Sequence, residues 1–292
     1  MIAARRPYTV PLTDGRVLDL SARPLVMGIL NVTPDSFADA WHPRDAAEAL
    51  ELGLRMEADG ADIIDVGGES TRPGADPVPT DEERRRVLPA VRALAARVRI
   101  PISVDTYKAS VAEAAIGEGA AMVNDVSGLG YEPGLADVVG RTGAGLVLMH
   151  NRGRSKTMYQ QADYSDVVSE AIDELAGSVR AATAAGVRLE SIVIDPGIGF
   201  AKRAADSYGV LARLAEFATG LDRPLLAGPS RKSFMRDALG DRPAADRDWG
   251  TAAAVAAAVL AGAHIVRVHA VAAMVQVVRV AEAIRKANRV VG

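Results

Sequence analysis

The 292-residue sequence contains no cysteine, so disulfides and thiolate metal sites are excluded. It has no apolar run of transmembrane length. It also lacks a strong charge bias: the formal net charge is −3, with 49% hydrophobic residues. That balance argues against disorder, a general nucleic-acid binder or a membrane-surface protein. The N-terminal stretch "MIAARRPYTVPLTDGR" lacks the apolar segment of a secretory signal, which sets the expectation of a soluble cytoplasmic protein. No linker, low-complexity tract or second-domain boundary breaks the chain. One domain over residues 1–292 is expected. No Ser–His–Asp or Cys–His arrangement for a covalent nucleophile is visible.

What is present is periodic. Short β-branched runs at 25–32, 62–68, 101–106, 121–128, 145–150, 191–197, 224–230 and 264–269 read as strands. Helix-like segments separate them, among them 45–59, 81–98, 108–118, 164–185 and 249–261. The strands are almost wholly apolar, as in a sheet covered on both faces. Strand–helix alternation implies parallel strands joined by crossovers. Eight such units predict an α/β fold of the (β/α)8 TIM-barrel type, over about residues 24–288. A doubly wound open sheet is the other candidate. Residues 7–21 precede the barrel and carry Asp14–Gly15 between alternating apolar residues, a β-hairpin signal. This ribbon is expected to close the bottom of the barrel. The longest expected loops are 31–44, 69–80 and 151–163.

Polar residues gather where the strands end. Asn31, Asp65, Asp105, Asn124, Asp125, His150, Asp195, Arg231, Lys232, Arg267 and His269 all fall in or just after a strand. One such residue means little, because βα turns favour Asp, Asn and Ser. Nearly every strand supplying one points to the C-terminal mouth, where barrel enzymes keep their active sites. Arg72, Arg267 and His269, with Asn31 as a further donor, suit an oxyanion such as phosphate. Asp105, Asn124 and Asp195 suit a flat heterocycle with several N–H donors and carbonyls. The ligand should therefore carry a polar ring at one end and a phosphate at the other. Asp65 is read as holding loops together, Lys108 as a helix-start charge, and Arg84, Arg85 and Arg86 as a solvated helix face.

The segments "MGILNVTPDSF", "DIIDVGGESTRPGA", "ISVDTYK", "NDVSGL", "DPGIGF" and "SRKSF" stand in order and correctly spaced. With "GTAAAVAAAVLAGAHIVRVH" they closely resemble the signature segments of bacterial dihydropteroate synthases. That resemblance implies a transferase of folate biosynthesis. It would join 6-hydroxymethyl-7,8-dihydropterin pyrophosphate to p-aminobenzoate, giving 7,8-dihydropteroate and pyrophosphate. It further implies a Mg2+ ion, sensitivity to sulfonamides and a homodimer, with no nucleic-acid or membrane partner. Matching the motifs implies that Asn31 is the metal-linked asparagine. Asp105, Asn124, Asp195 and Lys232 are then the pterin set. Thr71 and Arg72 belong to a loop near the pyrophosphate and second substrate. Arg267 and His269 form the pyrophosphate clamp and, with Lys232, carry the chemistry. Phe37, Pro73, Phe200 and Ser233 form the p-aminobenzoate pocket.

The sequence departs from that pattern in places. Ala40–Trp41 stand where two glycines are common, Ala201 where glycine is usual, and Ser207 near an expected asparagine. Ala270 follows His269 where aspartate is typical, removing an orienting acceptor for the clamp. These changes bear on the second substrate more than on the pterin set. A non-catalytic pterin-binding paralogue, a methyltetrahydrofolate methyltransferase-like barrel and a sugar-phosphate barrel are the competing readings. The second would not need "TRPGA" and "SRKSF". The third would not explain Asp105, Asn124 and Asp195 together. Finally, residues 250–261 carry no charge and 271–284 are rich in valine and alanine. This pair of helices is the expected dimer surface.

Overall fold

The computed structural model describes residues 2–33, 45–72 and 74–288. Its centre is an eight-stranded parallel barrel. The strands are β3 (Leu25–Asn31), β4 (Ile63–Gly67), β5 (Ile102–Asp105), β6 (Met122–Asp125), β7 (Gly145–Met149), β8 (Ile192–Asp195), β9 (Leu226–Ala227) and β10 (Ile265–Val268). The sheet runs β8-β7-β6-β5-β4-β3-β10-β9, and a parallel bridge between Ile194 and Leu225 closes it. β9 keeps only two ladder residues of the expected 224–230. Pro224 and Pro229 on either side have no N–H to donate.

Helices α1 (Ala46–Ala58), α2 (Thr80–Ala95), α3 (Ala109–Gly117), α4 (Leu135–Thr142), α5 (Val167–Ala184), α6 (Ala204–Ala212), α7 (Leu214–Leu221), α8 (Arg236–Leu239), α9 (Asp248–Leu260) and α10 (Val271–Asn288) surround the barrel. α5 starts three residues later than its pattern suggested. Asp166 caps it by accepting from the Val168 and Ser169 N–H groups.

The period-2 geometry of the strands sorts the core into two layers. Outward residues such as Val26, Leu30, Ile64, Val104, Val123, Leu148, Ile194 and Val266 pack against the helices. Inward residues Leu25, Met27, Ile63, Met122, Val147, Val193, Leu226 and Ile265 fill the lower barrel. The hairpin of β1 (Thr9–Pro11) and β2 (Val17–Asp19) turns at Asp14–Gly15, where Gly15 takes φ +80°. It pushes Val10, Leu12, Leu18 and Leu20 into that same lower cluster, closing the bottom as expected. Burying each of these side chains contributes roughly 1.5–3 kcal/mol.

Candidate active site

Two residues further along each inward row, the apolar layer becomes polar. Ile63 is followed on the same face by Asp65, Ser103 by Asp105, Met122 by Asn124, Val193 by Asp195 and Ile265 by Arg267. The strand "HIVRVH" thus aims Arg267 up the barrel axis rather than out to solvent. Asp105 and Asn124 are direct register partners across β5 and β6.

Arg267 sits at the centre of this layer. Its Nε donates to Asp65 Oδ2 at 2.6 Å and its Nη2 to Asp105 Oδ2 at 2.7 Å. Asn124 Nδ2 donates to the same Asp65 Oδ2 at 2.8 Å. Asp65 Oδ1 is buried with no partner among the described residues, an acceptor left for a ligand. On the other side, Asp195 Oδ1 accepts from the Gly197 N–H at 2.8 Å. A methyl group at Gly228 would lie 3.7 Å from Arg267 Cβ, 3.8 Å from Asp195 Oδ2 and 3.9 Å from Lys232 Nζ. Glycine at that position keeps the space between these three side chains open.

Burial pushes the Asp105 carboxyl up to about 7, opposed by the Arg267 guanidinium. Burial also raises Asp195, opposed by Lys232 and the Gly197 N–H. Lys232 is pushed down to about 8 by burial, with Asp195 pulling the other way. Burial works against the charge on Arg267, but Asp65 and Asp105 outweigh it. The result is a buried polar layer with more acceptor capacity than donors. That suits a ring rich in N–H groups.

The walls come from the loops. Lys232 Nζ donates to the Ile198 carbonyl at 2.6 Å and lies 4.4 Å from the Phe200 ring centroid. Tyr159 Oη and Ser233 Oγ are 3.3 Å apart. The loop carrying Thr71 and Arg72 is tied to the loop after β7 by the Gly74 N–H on the Ser155 carbonyl, 3.0 Å. His269 Nδ1 lies 2.9 Å from Ser230 Oγ, which also accepts the His269 N–H at 3.2 Å. Ser230 thus orients the ring that Ala270 cannot.

A model of the pterin-binding enzymes matches residues 27–269. The chain belongs to the pterin-binding enzyme family. It is 45% identical over 278 residues to the dihydropteroate synthase of Synechocystis, covering 95% of this chain and 96% of that one. The Escherichia coli dihydropteroate synthase is 44% identical over 270 residues, covering 92% and 94%. Among solved structures, a Yersinia pestis dihydropteroate synthase with a sulfonamide drug superposes with a TM-score of 0.90 at 40% identity, covering 95% and 99%. The Burkholderia cenocepacia dihydropteroate synthase with 7,8-dihydropteroate gives 0.85 at 42%, covering 97% and 98%.

Within this pterin-binding barrel, Asp105, Asn124, Asp195, Lys232 and Arg267 converge, as the strand ends suggested. Phe200, Ser233 and His269 lie on the adjoining loops. Phe37, Ala40, Trp41 and Pro73 fall outside the described residues. Two sequence readings need correction and a third gains detail. Asp65 is not a loop brace; it holds Arg267 and Asn124 in the polar layer. Arg231 does not join the mouth: its guanidinium turns to Asp248 at 2.7 and 2.8 Å. Lys108 does stand at the start of α3, and it has a further role there. It is buried, on Glu69 at 2.6 Å, Glu83 and the Val78 carbonyl at 2.8 Å, and so locks the loop over 69–80 onto α2. Glu69 and Glu83 lie in polar loop or helix-start sequence, where nothing marks them as its partners.

Among the described residues no group of three or more His, Cys, Asp or Glu could hold a metal. Asn31 Oδ1 would lie 3.2 Å from a methyl group at Gly67, and Asp105 Oδ2 3.6 Å from the same point. These are hard oxygen donors on one side of the mouth. They fit a Mg2+ that takes its remaining ligands from water and substrate phosphate oxygens, and not a dedicated protein cage.

Proposed function

We propose that this chain joins 6-hydroxymethyl-7,8-dihydropterin pyrophosphate to p-aminobenzoate, forming 7,8-dihydropteroate and releasing pyrophosphate. The observation that carries the reading is the inward polar layer of Asp65, Asp105, Asn124, Asp195 and Arg267, flanked by Lys232. Its buried carboxylates offer several acceptors to adjacent N–H groups of a pterin. The relatives named dihydropteroate synthase, matched over nearly their full length, support the same reaction.

The chemistry asks little of a base. The arylamine is already nucleophilic, and the pterin ring can spread positive charge left at its methylene carbon. Binding the two substrates edge to edge supplies proximity. Lys232 and Arg267 place positive charge beside the ring, and His269 with Arg72 addresses the leaving group. Held by Asn31, with Asp105 nearby, Mg2+ would neutralise charge building on the departing pyrophosphate. Phe200, Ser233 and Thr71 form the second-substrate side, and the motif match assigns Phe37 and Pro73 to the same substrate. Sulfonamides should compete there. Pyrophosphate release that requires p-aminobenzoate tests the reaction.

The protein is further proposed to act in the cytoplasm as a homodimer. No helix among the described residues is long and apolar enough to cross a membrane. α9 and α10 pack against each other. On α10, Val280 and Ile284 are 62% and 50% exposed, whereas Val278 is only 4% exposed and belongs to the core. The interface test is therefore Val280→Glu with Ile284→Glu. Light scattering should read a dimer mass for the wild type and a monomer for the variant. A dimer in both would place the contact elsewhere.

A further inference from the structure

In the loop that follows Asp195, three carbonyls are held by side chains, beside the backbone bond from the Phe200 N–H to the Gly197 carbonyl. Lys232 donates to the Ile198 carbonyl at 2.6 Å, and Tyr164 Oη to the Ala201 carbonyl at 2.8 Å. The Phe200 carbonyl between them is held by Lys202 Nζ at 3.1 Å. Lys202 is 1% exposed, so it is not a surface charge. Its Nζ also lies 2.7 Å from His150 Nδ1. His150 Nε2 lies 3.0 Å from Glu174 Oε2.

These contacts favour one proton arrangement. Burial pushes Lys202 down to about 7, and its charged form can only donate, which takes a bare Nδ1 on His150 and leaves the Nε2 proton for Glu174. Burial lowers His150 to about 4, consistent with a neutral ring. Glu174 is in turn held by Arg152, whose guanidinium stacks 4.1 Å from the Tyr164 ring centroid. The row runs from the α5 surface through His150 and Lys202 to the back of the site wall. Burying a lysine is costly, and nothing about the fold's core demands one here. An apolar side chain would fill the same volume more cheaply, but it would leave the Phe200 carbonyl without its donor.

We propose that Lys202 is a positioning residue for the condensation, holding Phe200 in place for the second substrate while His150 and Glu174 hold Lys202. The proposal deepens the synthase reading and rests on it. Phe200 is the loop residue whose ring faces Lys232, so its backbone placement sets where the arylamine can lie against the pterin. Lys202 is 1% exposed and makes its hydrogen bonds to His150 and the Phe200 carbonyl, not to Asp105, Asn124 or Arg267. Its loss should therefore weaken the arylamine side and spare the ring side, where Asp105, Asn124 and Arg267 remain.

The test uses the full-length protein and three variants. Lys202→Met keeps length and removes the donor. His150→Leu removes the acceptor that holds Lys202. His150→Asn puts an amide oxygen near the place of Nδ1. Wild-type turnover is measured first; its absence would refute the synthase reading itself, and the variants are then read by calorimetry with a pterin analogue and p-aminobenzoate. For Lys202→Met and His150→Leu, KM for p-aminobenzoate should rise about tenfold, as expected for one lost buried hydrogen bond. Affinity for a pterin analogue should stay within about threefold. His150→Asn should return the KM most of the way to wild type. If Lys202→Met does not fold, the His150 pair decides. Parallel loss of both affinities, no change in either, or His150→Asn behaving like His150→Leu would overturn the assignment.

Discussion

Replacing Arg267 with lysine isolates the geometry of the polar layer from its charge. The guanidinium reaches two buried carboxylates at once, Asp65 at 2.6 Å and Asp105 at 2.7 Å. A lysine ammonium is a point donor on a flexible stem and can serve one of them at that separation. The variant should therefore lose one hydrogen bond between charged groups, about 1.5–3 kcal/mol of folding stability. Arg267→Ala should cost more, about 3–5 kcal/mol, because it leaves both buried acids uncompensated. Urea unfolding measures both. Pyrophosphate release measures the functional side, where Arg267→Lys should lower kcat/KM by about 10–100-fold. A double-mutant cycle with Asp65→Asn should show coupling, since the groups share a hydrogen bond. Wild-type stability and rate in Arg267→Lys would refute the shared-carboxylate geometry. So would an alanine variant no less stable than the lysine variant.

Asp195→Asn should weaken a pterin analogue by at least about tenfold in calorimetry, because an amide cannot accept N–H bonds on both heteroatoms; unchanged affinity would place the ring elsewhere. Ala201→Gly should change stability by less than about 1 kcal/mol, as relief of the strained φ of +46° is offset by lost methyl burial and added chain entropy. A loss above about 2 kcal/mol in urea unfolding would show that the side chain, not the backbone, governs this position. Burial holds His150 and His264 down to about 4, below the ordinary 6.5, so the unfolded chain takes up their protons first. Their contribution is complete above pH 6.5 and is lost as pH falls toward 4, about 2 kcal/mol for each by pH 5. A urea midpoint unchanged between pH 7 and pH 5 would contradict that burial.

Much of this architecture was legible because the barrel obeys simple periodicities. An all-apolar strand means a sheet covered on both faces, and eight of them separated by helices leave few alternatives. The polar layer was legible for the same reason. Once Ile63 is inward, so is Asp65, although loop support was the reading given to it. What stayed hidden depends on contacts between distant elements. Lys108 reads as a helix-start charge, and only the fold brings Glu69 and Glu83 around it. Arg231 sits beside Lys232 in sequence, yet its φ of +58° turns it toward Asp248. Lys202 follows Phe200 and Ala201 in a short polar turn, with nothing in the pattern to reveal that its ammonium ends against His150. The valine- and alanine-rich pattern over 271–284 does not say which residues face outward; Val278 is buried, and α10 presents Val280 and Ile284 instead.

The most direct measurement is release of pyrophosphate from dihydropterin pyrophosphate by the purified chain, with and without p-aminobenzoate and with Mg2+ present. The account predicts release that depends on p-aminobenzoate, is matched mole for mole by dihydropteroate, and is inhibited competitively by a sulfonamide. Binding of the pterin with no release when both substrates are supplied would contradict it.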